Sequence, residues 1–465
     1  MKILLYKPFF HDIAVMPPMG LCYIAAILEK NKIPVEILDN TLLHLSSNEL
    51  GSKIAKGNYD IIGIYSSTPM IKQALQDAQL FKEVSPNTYI SLGGPHPSAT
   101  IEEILSSSSY IDSICVGEGE FSFLELVKRF VRKQDTKEIQ GFAFKVSGGI
   151  KINLPPNFIE NLDSLPFPAF HLLPIEKYFA RGNNYGILQR EVRNLPIITS
   201  RGCPGCCTFC QRFLGNKFRK RSPQNIADEL ELHSKKYNVH EFNFLDDNFI
   251  IDNDWAIGVC KEIKKRNLKI RFRFPNGVRE DMLNEGLLLE LKSVGCYHLD
   301  FGIESGCQKV LNIMKKGKRL ERIREKVWLA HKIGFELSAT FIFGTPGETK
   351  EDMLKTIDFA LSLPLDSASF GIVIPFPGTE LRKEVIEKNF LVHSNYENYN
   401  PGCIEDQPAI ETPDWNGEDL KKILKLAYRK FFFRPRYFLK SIPKIFLGEN
   451  RRKYFDALKF VLSKK

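Results

Sequence analysis

The chain has 465 residues, of which 43% are hydrophobic and 26% charged, so it has enough apolar material for two or three domains with cores and is not a disordered chain. It contains no apolar run of about 18 residues and no secretory signal pattern at its start, so we expect a cytoplasmic protein without membrane-spanning helices. The net charge is +10, but residues 421–465 contribute +13 and the preceding residues −3. Because no basic stripe runs through the body of the chain, we expect no nucleic-acid partner.

The first 135 residues alternate β-rich runs with helical ones. The β-rich runs are KILLYKP, VEILD, YDIIGIYS, TYISLGG and IDSICVG. This alternation is typical of an α/β, doubly wound (Rossmann-like) parallel sheet, whose ligands bind beyond the carboxyl ends of the strands. The candidate ligand loops of this domain are therefore 9–19, 66–69, 93–97 and 117–120.

Residues 136–194 are predicted to connect two domains. Gly141 to Asn153 has the pattern of a hairpin that turns at Ser147-Gly148-Gly149, and the proline-rich stretch after it is predicted to be an extended linker.

A second alternation occupies residues 195–385. Its β-rich runs are LPIITS, EFNFLD, KIRFRF, YHLDFGI, FELSATFIFG and SASFGIVIP. Six strands with intervening helices predict a partial (β/α)6 barrel, in which the chemistry lies at the C-terminal ends of the strands. The unusual residues stand at those ends, in segments 199–210, 246–248, 302–305, 344–348 and 375–379.

Four cysteines stand within eight positions of TSRGCPGCCTFC, whereas the other six are scattered singly. Scattered cysteines are typical of buried thiols in a reducing compartment, so the cluster indicates metal or redox chemistry. A zinc site normally takes its Cys-x-x-Cys pairs from separate turns, and here the pairs abut at Cys206 and Cys207, which disfavours zinc. The spacing of Cys203, Cys207 and Cys210 suits three thiolates that hold an iron-sulfur cubane with one open iron. A loop with incidental thiols is the remaining alternative.

This spacing after a barrel strand, with the downstream GIES and GTPGET segments, resembles the radical S-adenosylmethionine (radical SAM) superfamily. The resemblance implies a four-iron four-sulfur cluster on Cys203, Cys207 and Cys210, whose open iron chelates S-adenosylmethionine (SAM) and whose reduction splits SAM to a 5′-deoxyadenosyl radical. Cys206 departs from the family pattern, as a spare thiol or a competing ligand. Taken alone, GIES and GTPGET would be typical of strand-ending turns and helix caps. The SAM contacts that the resemblance implies are Phe209, Asp246, Glu304, Ser305, Gly344, Gly347 and Gly378.

Four segments of the first half resemble the cobalamin-binding domain found before such barrels: PPMGLCYIAAILE, YDIIGIYSSTP, SLGGPHPSATIEEIL and DSICVGEGE. An Asp-x-His-x-x-Gly sequence, which supplies a cobalt-ligating histidine in such domains, is missing, so we expect cobalt without a histidine beneath it. The alternative is a doubly wound domain kept as a scaffold. The cobalamin contacts that the resemblance implies are Ser66, Ser67, Thr68, Gly93, Gly94, His96, Gly117 and Glu118.

Together the two halves resemble cobalamin-dependent radical SAM methyltransferases and the related magnesium-protoporphyrin monomethyl ester oxidative cyclases. We predict a methyltransferase for an unactivated carbon of a small-molecule or lipid-like substrate, with cobalamin held between the halves. One alternative is a cobalamin-linked oxidative cyclase or rearrangement enzyme, and another is a non-catalytic corrinoid or iron-sulfur sensor. The cluster implies an external electron donor such as flavodoxin or ferredoxin.

Residues 386–465 are predicted to form a helical C-terminal extension, in which basic and aromatic residues alternate, as in AYRKFFFRPRYFLKSIPKIF. Such a pattern is typical of an interfacial helix on anionic lipid and predicts peripheral membrane contact. Pro435 and Pro443 interrupt any long helix, so a cap over the barrel mouth with a solvated basic face is an equal alternative.

Overall fold

The computed structural model describes residues 1–11, 15–154, 158–181, 189–399 and 408–434. The chain divides into two compact units. The first comprises Met1–Asn183, Gln211–Lys220 and Tyr396–Asn398, and the second Asn184–Cys210, Arg221–Asn395 and Tyr399–Lys465. The segment directly after the cysteines therefore belongs to the first unit, which no sequence pattern signals.

The first unit is built on one seven-stranded sheet. Its strands are β1 (Ile3–Lys7), β2 (Val35–Asp39), β3 (Ile61–Tyr65), β4 (Tyr89–Gly93), β5 (Ser113–Cys115), β6 (Phe142–Val146) and β7 (Gly149–Asn153). They are ordered β2-β1-β3-β4-β5-β6-β7. Strands β1 to β5 pair in parallel, and the predicted hairpin β6–β7 continues the sheet antiparallel to β5. The doubly wound fold is confirmed, and the hairpin proves to be part of its sheet.

Helices cover this sheet because its strands are apolar on both faces. All five residues of β1 are buried, as is typical of a parallel strand between two helical layers. The core includes Leu4, Tyr6, Ile62 and Leu92. The helices of this unit are α1 (Met19–Lys30), α2 (Asn40–Leu43), α3 (Ser47–Gly57), α4 (Ile71–Val84), α5 (Pro95–Ala99), α6 (Ile101–Ser107), α7 (Glu120–Val131) and α8 (Ile175–Arg181).

The prediction of an extended linker is partly wrong, because part of this segment forms a helix that packs on the first unit. Helix α8 lies within it, and the Tyr178 hydroxyl donates a hydrogen bond of 2.7 Å to Asp39 Oδ2 at the end of β2. Asp39 also pairs with Lys7 at 3.5 Å, and all three side chains are buried. A buried ion pair needs further hydrogen bonds to offset its desolvation, and Tyr178 provides one.

The second unit contains a six-stranded parallel sheet. Its strands are β8 (Asn194–Ile197), β11 (Glu241–Phe244), β12 (Arg271–Val278), β13 (Cys296–Glu304), β14 (Glu336–Phe343) and β15 (Ser367–Ile372), while the two-residue strands β9 (Ser200–Arg201) and β10 (Arg219–Lys220) flank the cysteines in sequence. The order is β15-β14-β13-β12-β11-β8, so consecutive strands are neighbours throughout. All six predicted strands are present, and the partial barrel is confirmed.

Helices alternate with these strands and cover one face of the sheet. Phe242, Phe244 and Phe272 of β11 and β12 are buried on that face. The helices are α9 (Pro223–Tyr237), α10 (Asn253–Lys265), α11 (Glu285–Ser293), α12 (Gln308–Ile313), α13 (Leu320–Ile333), α14 (Lys350–Ser362), α15 (Glu380–Glu387) and α16 (Gly417–Phe432).

Helix α16 is the described part of the predicted C-terminal extension. Its Tyr428 hydroxyl donates a hydrogen bond of 3.0 Å to the Phe370 carbonyl of β15, so the helix packs on the barrel sheet. The basic and aromatic segment 435–465 lies outside the described residues. None of the helices in the described ranges is both long and apolar enough to cross a membrane.

Candidate functional site

The cysteine loop follows the first barrel strand directly. Cys203 and Cys207 are half-buried, whereas Cys206 and Cys210 are exposed. A Cβ at Gly205 would lie 3.3 Å from the Cys203 Sγ and 3.9 Å from the Cys207 Sγ, so the loop draws these two sulfurs together around a glycine. A hydrogen bond between the Cys207 and Cys210 thiols lowers the pKa of Cys207 and raises the pKa of Cys210.

Asp246, at the end of β11, anchors the residues that lead into this loop. Its Oδ1 accepts hydrogen bonds from the Thr199 amide (3.1 Å), the Thr199 hydroxyl (2.8 Å) and the Ser200 hydroxyl (2.5 Å). Burial raises the pKa of Asp246 to about 6, against these hydrogen bonds. The structure thus gives Asp246 a positioning role, and its predicted contact with SAM stays a prediction.

Glu304 lies at the end of β13 and forms an ion pair with Lys316. The Lys316 Nζ lies 2.6 Å from Glu304 Oε1, and the two side chains are only 11% and 10% exposed. The same ammonium lies 5.4 Å from the ring centroid of Phe209, the residue before the last cysteine. The structure therefore brings Phe209, Glu304 and the cysteines together, as predicted, around a lysine that the sequence analysis did not single out.

Lys316 gives this site its positive charge. Burial opposes that charge, but Glu304 and the Cys207 and Cys210 thiols outweigh burial, so the pKa of Lys316 is raised. Lys316 and Arg279 in turn help to lower the pKa of Cys207. The sequence signal for Lys316 was the basic run MKKGKR at residues 314–319, in which nothing singles out one lysine.

A second buried ion pair supports the first. The Lys318 Nζ lies 2.8 Å from Glu280 Oε2 and donates a hydrogen bond of 3.0 Å to the Gly302 carbonyl. Both side chains of this pair are at most 1% exposed. Because both charges are paired and one is tied to β13, the pair fixes the turn that carries Lys316.

Ser305, the other predicted residue of GIES, points away from the loop. Its side chain is fully buried, it shares a hydrogen bond of 2.9 Å with the Thr356 hydroxyl, and it accepts one from the Cys307 amide. The structure thus uses Ser305 to join the end of β13 to α14 and to hold the turn before α12, which is the turn role that GIES alone would have.

Most polar groups of the GTPGET segment form hydrogen bonds within their own turn. Glu348 accepts hydrogen bonds from the Gly344 and Thr345 amides, and burial raises the pKa of its carboxyl to about 8 despite them. Gly344 has a φ of +92° and packs against Leu420 and Trp415, so it faces α16. Gly347 and Gly378 also have positive φ values, of +85° and +81°, and both are exposed, so their backbones remain accessible.

The residues of the cysteine loop fit an iron-sulfur cluster. Three thiols of suitable spacing stand on one accessible loop, and the buried ammonium of Lys316 complements the negative charge of a thiolate-ligated cluster. Among the residues that the structure describes, no three His, Cys, Asp or Glu side chains converge as ligands of a single ion. The assignment of the three ligands therefore stays a prediction.

In the first unit, three predicted cobalamin contacts have buried side chains. Ser66 and His96 are fully buried and Thr68 is 2% exposed. The His96 Nδ1 shares a hydrogen bond of 3.3 Å with the Thr68 hydroxyl, and the ring packs edge-on against Tyr396 at 4.8 Å. These side chains support the strand-end loops from within, and the absence of a histidine ligand to cobalt stays a prediction.

Gly94 is required by the loop itself. It has a φ of +111°, and a Cβ there would lie 2.5 Å from the Ser66 carbonyl oxygen. Gly93, in contrast, would place a Cβ at an ordinary 3.6 Å from Cys115. Both are half-buried, as is Ser67, so their backbones are available to a ligand at the carboxyl edge of the sheet.

Glu118 is taken up by an ion pair inside the first unit. Its carboxylate lies 2.8 Å from Arg219 Nη1 and accepts a hydrogen bond of 2.8 Å from the Ile159 amide. The two charged side chains are 6% and 1% exposed. Glu118 therefore holds the segment after the cysteines, while Gly117, half-buried with a φ of +76°, keeps an accessible backbone. Glycines and small hydroxyl residues at one sheet edge fit a large cofactor, and their contacts stay predictions.

Two family models match the chain. The Radical SAM superfamily model matches residues 197–360, and the B12 binding domain model matches residues 14–127. The two matches fall in the two halves that carry the cysteine loop and the strand-end glycines. The first implies SAM and a four-iron four-sulfur cluster as cofactors, and the second adds cobalamin.

The chain is similar to curated proteins over most of its length. It is 32% identical to an uncharacterized methyltransferase of Pyrococcus horikoshii, covering 92% of this chain and 90% of the relative. It is 31% identical to cytidylyl-2-hydroxyethylphosphonate methyltransferase of Streptomyces wedmorensis, with the same two coverages. It is 29% identical to anaerobic magnesium-protoporphyrin IX monomethyl ester cyclase of Rubrivivax gelatinosus, covering 98% of this chain and 81% of the relative. These relatives are enzymes, which argues against the sensor alternative.

A solved structure shares the fold. The cobalamin-dependent SAM radical enzyme OxsB, with aqua-cobalamin and SAM bound, superposes with a TM-score of 0.72 at 20% identity and covers 99% of this chain and 70% of its own. The two family matches and the full-length relatives agree with the resemblance drawn from the motifs. The chain is an enzyme of the radical SAM superfamily and belongs to the branch that carries a B12-binding domain before the barrel.

Proposed function

We propose that this enzyme is a cobalamin-dependent methyltransferase that acts on an unactivated carbon of a small-molecule substrate. The observation that carries the proposal is the match over nine-tenths of the chain to two methyltransferases, each above 30% identity. When bound, the cofactors supply hydrogen abstraction and methyl delivery, and the protein supplies binding, orientation and the exclusion of water.

The residues around the cysteine loop are suited to hold SAM. Glu304 and Lys316 form a buried pair of opposite charges, which complements the amino and carboxylate groups of the methionine part of SAM. The half-buried ring of Phe209 offers an apolar face for the adenine. Asp246 keeps the approach to the loop in place through its hydrogen bonds to Thr199 and Ser200.

The proposal is tested by product stoichiometry. Purified protein, reconstituted anaerobically with iron, sulfide and cobalamin, is incubated with SAM, a reductant and cell extract. Each methylated product is expected with about one 5′-deoxyadenosine and one S-adenosylhomocysteine, because the two uses of SAM are chemically distinct. Turnover without cobalamin, or deoxyadenosine without S-adenosylhomocysteine, would contradict methyl transfer.

A radical oxidative cyclase is the second candidate function. It is favoured by the similarity to the Rubrivivax gelatinosus cyclase, which extends over 98% of this chain. In the same assay a cyclase would form 5′-deoxyadenosine and a product two hydrogens lighter or with altered rings, and no S-adenosylhomocysteine.

Two partners belong to this proposal. A flavodoxin or ferredoxin would deliver the electron that the cluster needs, and titration of the reconstituted protein with either reduced carrier tests this. The basic segment after Phe433 would contact anionic lipid, at roughly 1 kcal/mol for each Lys or Arg near the surface. Flotation of the full chain with anionic vesicles at low salt tests that contact, and retention in the soluble fraction would contradict it.

A further inference from the structure

Within the described residues, the face of the barrel sheet opposite the helices is open at β14 and β15, whereas Asn243, Arg273 and His298 on the same face of β11 to β13 are buried. On β14, Leu337, Ala339, Phe341 and Phe343 are buried on the helix-covered face, whereas Ser338 is half-buried and Thr340 exposed on the other. Ser369 of β15, paired with Thr340 in the parallel ladder, is exposed as well. Parallel sheets are normally buried on both faces. Strand β14 has a paired strand on each side, so an exposed residue on it indicates a cavity that a ligand could fill.

The uncovered residues are polar and small. We define the hydroxyl wall as Asp300, Ser338, Thr340 and Ser369, which point to the same face of three adjacent strands because they are ladder partners or two residues apart. Ile342, the next residue of β14 on this face, is nearly buried. A lipid or porphyrin site would need a broad apolar lining, and the hydroxyl wall offers hydrogen-bonding groups in its place.

Asp300 and Ser338, the wall residues nearer the N-terminal ends of the strands, are fixed by hydrogen bonds. Ser338 donates a hydrogen bond to Asp300 Oδ1, and the His298 Nε2 shares one of 3.1 Å with the Ser338 hydroxyl. His298 is 1% exposed, and burial lowers the pKa of its imidazole, whereas the nearby Asp300 carboxylate opposes that shift. Asp300 Oδ2 faces His298 Nδ1 at 3.3 Å. Fixed side chains of this kind discriminate between ligands better than mobile ones.

Thr340, a wall residue nearer the C-terminal ends of the strands, lies close to the Glu304–Lys316 ion pair. A Cβ built on Gly302 would lie 2.8 Å from Glu304 Oε1 and 3.5 Å from Lys316 Nζ, so both charged ends lie directly beside Gly302. Gly302 is the ladder partner of Thr340. A molecule on the hydroxyl wall would therefore lie next to the groups assigned above to SAM.

We propose that the hydroxyl wall binds the methyl acceptor and that this acceptor is a hydroxylated molecule with the footprint of one sugar ring, such as an amino sugar or a cyclitol. Three strands span roughly 10 Å and two residues along a strand roughly 7 Å, which is the area of a single such ring. The Asp300 Oδ2 is buried against His298, so Oδ1, which already accepts one hydrogen bond from Ser338, is the carboxylate atom left for a ligand, and it selects hydroxyl or ammonium donors. The proposal rests on the proposed function, since it names the substrate class of that site.

Binding without turnover tests the wall separately from methyl transfer. Reconstituted protein with SAM and no reductant is titrated with a hydroxylated panel (glucosamine, myo-inositol, a ribonucleoside) and an apolar panel (indole, a magnesium porphyrin, a long-chain fatty acid), with detection by saturation-transfer NMR. Members of the hydroxylated panel are expected to bind. Thr340→Val is expected to weaken that binding about three- to tenfold, because it removes one hydrogen bond, whereas the Ser369 hydroxyl is shared with Tyr428 of α16 and is left unchanged.

Matched controls separate recognition from folding. Thr340→Ser keeps the hydroxyl and should bind within about twofold of the wild type, and Ser362→Ala changes an exposed hydroxyl of α14 and should have no effect. Valine is nearly isosteric with threonine and suits a strand, so iron content and the melting temperature should stay unchanged. Binding of the apolar panel alone, binding of neither panel, or equal affinities of Thr340→Val and wild type would overturn the proposal. Loss of S-adenosylhomocysteine formation with intact binding would instead contradict only the methyltransferase proposal.

Discussion

The predicted ligand-binding residues at the strand ends differ in exposure between the two units. In the barrel, the side chains of Phe209 and Glu304 lie around the buried Lys316 ammonium, next to half-buried and exposed cysteines. In the first unit, the predicted side chains of Ser66, Thr68 and His96 are buried, and the accessible groups are largely glycine backbone. A site that binds a compact charged cofactor needs side chains, whereas a site for a large, flat cofactor needs room and backbone contacts.

Loss of a cluster thiol should have the largest effect and tests the barrel side of this comparison. We expect Cys203→Ala, Cys207→Ala and Cys210→Ala each to lose the cluster, since each removes one of three protein ligands. Cys206→Ala, which changes the exposed neighbouring thiol, should retain it. Iron content and visible absorbance after anaerobic reconstitution provide the measurement. If Cys206→Ala lost its cluster while Cys207→Ala kept it, the assigned ligand register would be wrong.

Gly94→Val should disable the first unit alone. A side chain at a φ of +111° is strained, and its Cβ would meet the Ser66 carbonyl at 2.5 Å, so the loop must move. We expect cobalamin binding to be lost, as measured by the retained corrinoid absorbance, while the iron content stays at the wild-type value. Gly93→Ala is the matched control and should bind cobalamin nearly normally, because its Cβ has ordinary space. Equal effects of the two substitutions would contradict the assigned role of Gly94.

Lys316→Met should weaken SAM binding about tenfold or more, since a charge-assisted hydrogen bond contributes about 1.5–3 kcal/mol. It should also make the midpoint potential of the cluster more negative, because a buried positive charge beside the thiolates favours the reduced state. Equilibrium SAM binding and redox titration by electron paramagnetic resonance measure both effects without turnover. Lys315→Met is the neighbouring control, since Lys315 is 53% exposed and pairs with Glu380 at the surface. An unchanged midpoint potential in Lys316→Met would contradict an electrostatic effect of Lys316 on the cluster.

Glu348→Gln should have the smallest effect on the cofactors, and its main effect should be on stability. The pKa of Glu348 is about 8 in the folded protein against an ordinary 4.5, because the carboxyl is buried. Between these values the unfolded chain is ionised while the folded one keeps its proton, so this group lowers stability as pH rises from 4.5 to 8. We expect Glu348→Gln to gain on the order of 2–4 kcal/mol relative to wild type between pH 5 and pH 8.5, measured by urea unfolding. Glu351→Gln, which changes an exposed carboxylate in the first turn of α14, should show no such gain.

The local pattern of the sequence determined the strands and the order of the two halves. All eleven predicted β-rich runs form strands. The hydrophobic pattern that distinguishes a strand from an amphipathic helix is local and can be recognised within about ten to fifteen residues. The spacing of Cys203, Cys207 and Cys210 is likewise local, so one loop could be assigned its chemistry from the letters alone.

Only the tertiary structure decided which polar residues face a ligand. Glu118 is paired with Arg219, 101 residues away, and His96 lies against Tyr396, contacts that no motif indicates. Lys316, one of several basic residues in the run MKKGKR, is the buried partner of Glu304. Such pairings depend on which strand ends meet, and the period of a sequence shows which face a residue takes but not which distant residue stands opposite.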